Sequence, residues 1–372
     1  MKLDEVVIMA KYGIHSDTHN HNFSAFATIL PNGINSRLQA TLDETLTCAR
    51  ETKNVGGKNI YHAGDLFHVR GSLAPSVLNP TIDTYKSIIE SGIGVRILAG
   101  NHDLEGRDSQ RISSAVTALE AIGCVIVNES TFFDDDKVLM IPWHPSIVDL
   151  KAEIEKQRNR LLYTEVKNYS LIIHAPIDGV IFGLPEHGLT AEQLAEYGFK
   201  AVYSGHYHNF KELDNNVYSI GATTHQTWSD VNSIAGFLIV EDDLTSHHET
   251  SAPKFVEIDA DLSNEEIAKL VANNFVRIKV SSTEQKIIDE IRYQLINEFN
   301  AKGVVIVSVR DSVVQREVTV SGVKTEQKSI PQSINCYINH MKDLKMIEED
   351  DLKPTQEKAQ EILELAMSKV GE

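Results

Sequence analysis

Short apolar runs that break off into clusters of polar residues recur along the first two hundred positions of this chain. They are Tyr12 to His15, Ile60 to His62, Val95 to Leu98, Leu171 to Ile173 and Ala201 to Tyr203. Each is too short for a helix and reads as a buried strand opening into a loop. Between them the apolar spacing changes to that of a helix face. Leu38, Leu42, Leu46 and Ala49 mark Ser36 to Thr52, and Ile82, Tyr85, Ile88 and Ile89 mark Thr81 to Ser91. Further helices are expected over Arg111 to Ala121 and Ile147 to Leu162, with short strands at Val125 to Val127 and Val138 to Ile141. Asn20 to Ser36 and Val69 to Pro80 read as loops. Strand, loop, helix, strand is a crossover unit, so the strands before Asp17 and Asp65 should run parallel.

From Asn216 strands dominate. Val217 to Ile220, Ala235 to Val240 and Phe255 to Ile258 are expected as an antiparallel run with a turn at Asp242-Asp243. Phe275 to Val280, a helix over Glu284 to Glu298, and Val304 to Val309 make a small βαβ-like unit. The last stretch, Ile334 to Lys369, reads as two helices joined at Glu349 to Pro354.

The polar clusters behind the early strands share a chemistry. They are Asp17-Thr18-His19, Gly64-Asp65 with His68, Gly100-Asn101-His102-Asp103, His174, and Gly205-His206-Tyr207-His208. Asn, His and Asp also crowd ordinary turns, so any one cluster is weak. Five in order, each behind a strand, point to a metal site. Carboxylate and carboxamide oxygens mixed with imidazole nitrogens suit manganese, iron or zinc.

Composition narrows the setting. At 372 residues the chain can hold two or three domains, and 42% hydrophobic residues supplies an ordinary core. No apolar run is long enough to span a bilayer, and Met1 to Val7 lacks an apolar centre, so a cytoplasm is expected, the host's for a viral source. Cys48, Cys124 and Cys336 are widely spaced and odd in number, which suits reduced thiols. A formal charge of -18 weighs against nucleic acid, whose binders usually show a basic face. Part of the excess lies at Glu241 to Asp243 and Glu348 to Asp351, away from the clusters, and a carboxylate-rich site is neutralised by its own cations.

As an ordered set, Asp17-x-His19, Gly64-Asp65, Gly100-Asn101-His102-Asp103, His174 and Gly205-His206-x-His208 resemble the calcineurin-like metallophosphoesterase superfamily. More narrowly, Gly64-Asp65-Leu66-Phe67-His68 and the domains that follow resemble the SbcD-type recombination and repair nuclease subunits, in a phage-type form. The resemblance implies an α/β fold, a β-sandwich flanked by helices over residues 1–262. A small α/β capping domain at 263–328 and a helical tail at 329–372 would follow, the tail binding an SMC-like ATPase of the SbcC type. It implies two divalent ions, manganese foremost, with magnesium, iron or zinc as alternatives. Asp65 would bridge them, Asp17, His19 and His208 would complete one, and Asn101, His174 and His206 the other. His102 would act at the scissile phosphate with Asp103 orienting its ring, and His68 would face the nucleic acid.

The implied activity is exonuclease or endonuclease cleavage of DNA in recombination, repair or replication. The implied assembly is a two-fold dimer through Thr81 to Ser91 and Arg111 to Ala121, on faces that include Ile82, Tyr85, Ile89, Val116 and Leu119. A metallophosphatase or a small-molecule phosphodiesterase could use the same two-metal site. Protein phosphatases, however, usually carry Asp-Arg-Gly after the second motif, where this chain has His68-Val69-Arg70-Gly71. His15, His21, His62, His144, His187 and His225 fall outside the pattern and are expected behind the ligands or in structural roles. Ser219 to Thr224 is expected to offer backbone and hydroxyl donors to phosphate, and Trp143 and Trp228 to be buried anchors.

Overall fold

Buried strands alternating with amphipathic helices can hide both faces of a sheet only by layering, and that is what the chain does. A computed structural model describes residues 10–106, 114–258, 262–281 and 284–308, with 338, 342, 352–356 and 358–359. Residues up to Arg310 form one compact unit and those from Asp311 a second. The first unit opens with β1 (Lys11–His15), α1 (Ser36–Asn54), β2 (Asn59–His62), α2 (Pro75–Glu90) and β3 (Gly94–Leu98). A 3-10 helix (Ala115–Ile122) leads to β4 (Val125–Val127), β5 (Thr131–Phe133), β6 (Val138–Ile141), α3 (Ile147–Arg158) and α4 (Tyr163–Val166). Then come β7 (Ser170–His174), α5 (Ala191–Glu196), β8 (Ala201–Gly205), β9 (Lys211–Leu213) and β10 (Val217–Ser219). β11 (Gly236–Glu241) and β12 (Leu244–Glu249) complete the two large sheets.

Strand order is β12-β11-β1-β2-β3-β4 in one sheet and β5-β6-β7-β8-β10-β9 in the other. The sheets face each other: Tyr12, Ile14, Tyr61 and Leu238 of the first pack with Met140, Ile172, Tyr203 and Ile220 of the second. Outside the first sheet lie α1 and α2, through Leu38, Leu42, Tyr85 and Ile88. Outside the second lie α3 and α5, through Leu150, Ile154 and Leu194. This is the expected α/β sandwich flanked by helices. Because β1, β2 and β3 are parallel, as are β7 and β8, the loops that follow each group leave from one end of its sheet. Direct bonds join these loops, with Asp17 N donating to Gly64 O at 3.0 Å and His19 N to Asp65 O at 3.0 Å.

Several expectations needed correction. The antiparallel run after Asn216 does not exist as one sheet: β10 pairs parallel with β8, and β11 pairs antiparallel with β1. Phe255 to Ile258, as β13, joins a third sheet. The Asp242-Asp243 turn is present, and it serves β12, whose polar sequence concealed it. Helix α2 begins within the expected loop, because Pro75 occupies a first-turn position where no N–H is needed. The expected helix from Arg111 is a 3-10 helix over the described residues, ending at Gly123 with φ 99°. Tyr85, Val116 and Leu119, expected on a dimer face, are fully buried in the chain's own core, with Ile82 and Ile89 half-buried beside them. The described tail residues 338, 342, 352–356 and 358–359 are helical, and the rest of the two-helix expectation lies outside the described residues.

The third sheet holds β13 (Phe255–Ile258), β14 (Phe275–Val280) and β15 (Gly303–Ser308), all parallel, with α6 (Asn264–Val271) and α7 (Gln285–Tyr293) as crossovers. Its own core includes Ile258, Val271, Val276 and Leu295. It meets the sandwich through aromatic contacts. Phe26 stacks on Phe275 with ring centroids 5.1 Å apart, and His225 Nδ1 accepts from Phe255 N at 3.1 Å.

Asp136, in the β5–β6 turn, clamps the two large sheets. It accepts from Asn59 Nδ2 at 2.7 Å and Tyr61 OH at 2.8 Å, both on β2, and from Arg96 on β3 at 3.1 Å. Asp136→Ala leaves the buried Tyr61 hydroxyl without an acceptor and Asn59 and Arg96 with Asp135 as their one carboxylate, and should lower stability by about 2–4 kcal/mol. Asp135, more exposed and also paired with Arg96, should cost under about 1 kcal/mol as Asp135→Ala. Urea unfolding of the two variants checks the contrast, and equal midpoints would contradict it.

Candidate metal centre

The polar clusters meet at one rim of the sandwich, and the backbone there is bent to serve them. Asp17, His19, Asp65 and His206 all adopt positive φ, at 48°, 41°, 56° and 100°. Side chains that accept this conformation away from glycine mark places where aim matters more than local comfort. Gly64 precedes Asp65 with φ 102°, and a Cβ there would collide with the His174 ring. At Gly100 a Cβ would strike the Asp65 backbone and carboxylate. Glycine therefore stands before Asp65 and Asn101 so that three loops can approach closely.

One ring nitrogen or carboxylate oxygen from each of Asp17, His19 and His208 lies within 4.8 Å of the others, and the same holds for Asp17, Asp65 and His174. Asp65 Oδ2 sits between the groups, 3.6 Å from His19 Nε2 and 3.4 Å from His174 Nε2. Asn101 Oδ1 lies 3.0 Å from His174 Nε2 and 3.2 Å from His206 Nδ1. The seven residues singled out as ligands thus converge, with Asp65 central. Asp17 and Asp65 are both buried, and among the described residues no lysine or arginine pairs with either.

Burial raises the Asp17 carboxyl above its usual range. Burial pushes Asp65 the same way, but the His174 ring outweighs it and holds Asp65 well below. Burial alone would lower His174, and the Asp65 carboxylate instead raises it to about 9. Two buried carboxylates ringed by imidazoles and a carboxamide are a donor set that fits divalent cations, which would supply the countercharge.

Behind the donors stands a supporting layer. His208 Nδ1 bonds Asp230 Oδ1 at 2.9 Å, leaving Nε2 toward His19 Nε2 at 3.3 Å. Asp230 in turn accepts from Gln226 N and Thr227 N, which fixes its orientation. His174 Nδ1 bonds Ala63 O at 2.8 Å. Trp143 stacks on the His206 ring at 5.4 Å and meets His174 edge-on. Asp230 carries no signal of this role in the sequence, since it lies 22 residues beyond its partner, at the end of a short 3-10 helix. Trp143, expected as a buried anchor, is half-buried against two donors.

His102 and His68 lie together, their rings stacked at 5.8 Å, and one nitrogen from each comes within 4.8 Å of one from His19. His102 Nδ1 lies 2.8 Å from His68 O. Asp103 is not beside the His102 ring as expected. Its carboxylate accepts from Gly100 N, Phe67 N and Leu66 N at 2.9, 2.9 and 3.2 Å, so it clasps two loops together. Burial raises its carboxyl to about 7. The hydroxyls expected to meet phosphate are also committed elsewhere: Thr223 Oγ1 donates to Ser16 O, and Thr224 Oγ1 pairs with Thr41 Oγ1. His62 is a supporting group, held between Thr18 Oγ1 and Gly64 N.

Comparison with known proteins identifies a family over the first part of the chain. A family profile described as calcineurin-like phosphoesterase matches residues 10–210. Exonuclease subunit 1 of Enterobacteria phage T4 is 27% identical over 181 residues, 47% of this chain and 50% of that protein. The chain thus matches about half the length of that relative. Two solved structures are also similar. A dimetal phosphatase from Danio rerio has 8% identity and a TM-score of 0.41, covering 65% of this chain and 99% of that one. The Pseudomonas putida nuclease MPE has 14% identity and a TM-score of 0.27, covering 64% and 87%.

Removal of the Asp230 carboxylate leaves the His208 ring unaimed, so Asp230→Asn should weaken manganese binding roughly 10- to 100-fold. Asp65→Asn should abolish high-affinity binding altogether. Isothermal titration of the metal-free proteins measures both, and an Asp65→Asn protein that binds manganese normally would overturn the central position given to Asp65.

Proposed function

The chain belongs to the calcineurin-like phosphoesterase family, and from that premise we propose that it is a metal-dependent nuclease that hydrolyses phosphodiester bonds in DNA. The observation that carries this reading is Asp65 Oδ2, set between His19 Nε2 and His174 Nε2 at 3.6 and 3.4 Å, with His102 beside it. When bound, a pair of divalent cations would lower the pKa of a water and offset charge on the phosphoryl oxygens. Manganese is the ion we favour, from the resemblance of the motifs to the SbcD-type nucleases, and the mixed oxygen and imidazole donors suit it.

The remaining chemistry falls to the chain's own groups. With Nδ1–H of His102 donating to His68 O, its Nε2 is left for the substrate. As an imidazolium it can stabilise charge on the phosphate and pass its Nε2 proton to the departing oxygen. The His102 backbone N–H donates to Asp65 Oδ1 at 2.7 Å, so the acid and the central carboxylate are positioned as one piece. His68 would line the path of the strand. DNA is favoured over a phosphoprotein by the His68-Val69-Arg70-Gly71 sequence and by the matching relative, a phage exonuclease subunit.

We further propose that the protein works in DNA repair or recombination with an SMC-like ATPase of the SbcC type, held through residues 329–372, and that nuclease subunits pair as dimers. The support is the resemblance of the motifs and the order of the domains. Light scattering with and without DNA tests the pairing, and a monomer in both would exclude it.

Manganese-loaded protein given labelled duplex DNA, a cyclic dinucleotide and a phosphopeptide side by side should cleave the DNA. Preference for the phosphopeptide would overturn the proposal. His102→Ser should keep manganese binding while DNA cleavage falls about 100-fold or more, and loss of bound metal would make it a ligand instead. Ile362→Glu combined with Leu365→Glu should abolish co-purification with the ATPase and spare cleavage. Retained binding would remove the tail from that interface.

A further inference from the structure

The connection from β7 to α5 begins directly after His174 and carries a feature the proposed mechanism does not use. Its base is firmly held. Ile177 and Leu189 form a bridge, both are buried with Val180, and Asp178 Oδ1 accepts from His187 N at 3.0 Å and Gly188 N at 2.9 Å. Its tip is the opposite: Phe182 is 104% exposed, and Leu184 beside it is 46% exposed. Gly179 and Gly183 bracket the ring with φ of 82° and 79° and open space around both. A whole phenylalanine ring in water on an anchored loop is an uncompensated apolar surface.

The loop is joined to the metal centre on its other side as well. His187 Nε2 bonds Tyr207 OH at 3.1 Å, and Tyr207 stands between His206 and His208. The Tyr207 and His206 rings lie 5.3 Å apart. Lys211 Nζ donates to Gly179 O at 2.6 Å. Aromatic groups therefore form a series from the loop, through His187 and Tyr207, to a donor of the site.

We propose that the 179–187 loop is a wedge for the end of a DNA duplex. Phe182 inserts against the terminal base pair, and Tyr207 and His187 receive the released strand on its way to the metal centre. This rests on the nuclease reading above. The carboxylates of the metal centre are buried, so a strand that reaches them from a duplex end leaves its terminal stack, and an apolar side chain inserted at a base step, with aromatic faces for the freed bases, offsets that loss. The shape of the patch argues for a base pair over a protein. One ring and one leucine fall well short of the about 800 Å² per partner that a stable protein interface buries.

The test uses the full chain with manganese, and Phe182→Ala, Phe182→Trp and wild type. Substrates are a blunt duplex, the same duplex with unpaired terminal bases, single-stranded DNA and bis(p-nitrophenyl) phosphate. Phe182→Ala should lose about tenfold on the blunt duplex while staying within about twofold on the other three, and Phe182→Trp should recover the blunt activity. With calcium in place of manganese, 2-aminopurine at the duplex terminus should brighten on binding wild type and stay dark with Phe182→Ala. Equal losses on all substrates, or none on the blunt duplex, would overturn the wedge. A defect seen only when the ATPase is present would overturn it too, giving the loop to the partner. A wild type that cleaves bis(p-nitrophenyl) phosphate but no DNA refutes the nuclease reading and the wedge with it. A wild type that cleaves DNA indifferently to Phe182 refutes the wedge alone.

Discussion

Two carboxylates taken out of water and turned toward one another are the constraint on which this molecule is built. Asp17 and Asp65 are both buried, so their charge must be answered from within. No single loop could do so. The answer comes from His19, Asn101, His174, His206 and His208, delivered by strands of both sheets, and it requires the sheets to end at a common rim. The close glycines, the left-handed backbone at four of these positions and the Asp103 clasp between loops all follow from that demand.

The site divides holding from acting. His174, His206 and His208 each have a neighbour that limits ring rotation: Ala63 O, the face of Trp143 and Asp230 respectively. His102 is held differently, by its main chain on Asp65 and by one ring nitrogen on His68 O, so its other nitrogen stays uncommitted. Rigid donors beside an uncommitted nitrogen suit a reaction in which charge is fixed and one proton travels.

The clusters that meet at the rim could be read from sequence because parallel strands buried on both faces are continuous apolar runs, and polar residues collect where they end. The parallel crossover of β1 and β2 followed from the same runs, and the sandwich from the resemblance of the motifs. Pairing could not be read, since β10, β11 and β13 look alike as short apolar stretches yet join three different sheets. Asp103 was legible as a motif residue but not in its role, because three backbone donors from two loops decide that role. Asp230 and Trp143 were invisible as partners of His208 and His206, being linked to them only through space. The apolar faces of α2 and the 3-10 helix were legible as faces, but periodicity cannot say whether a face covers the chain's own sheet or another chain.

The position of β1 has a consequence for how the chain is made. It lies inside its sheet, with β2 on one side and β11 on the other, and Tyr12 is paired with Val240. At ordinary rates of synthesis, roughly 10–45 s separate the emergence of those two partners from the ribosome. Throughout that interval one edge of β1, the strand that leads to Asp17, has its ladder groups open. The parallel core of β1, β2 and β3 can assemble early, but the edge closes only when the β11–β12 hairpin arrives. A nascent chain stalled before Glu241 therefore exposes an adhesive strand edge, and the last hairpin of the sandwich acts as its seal against aggregation.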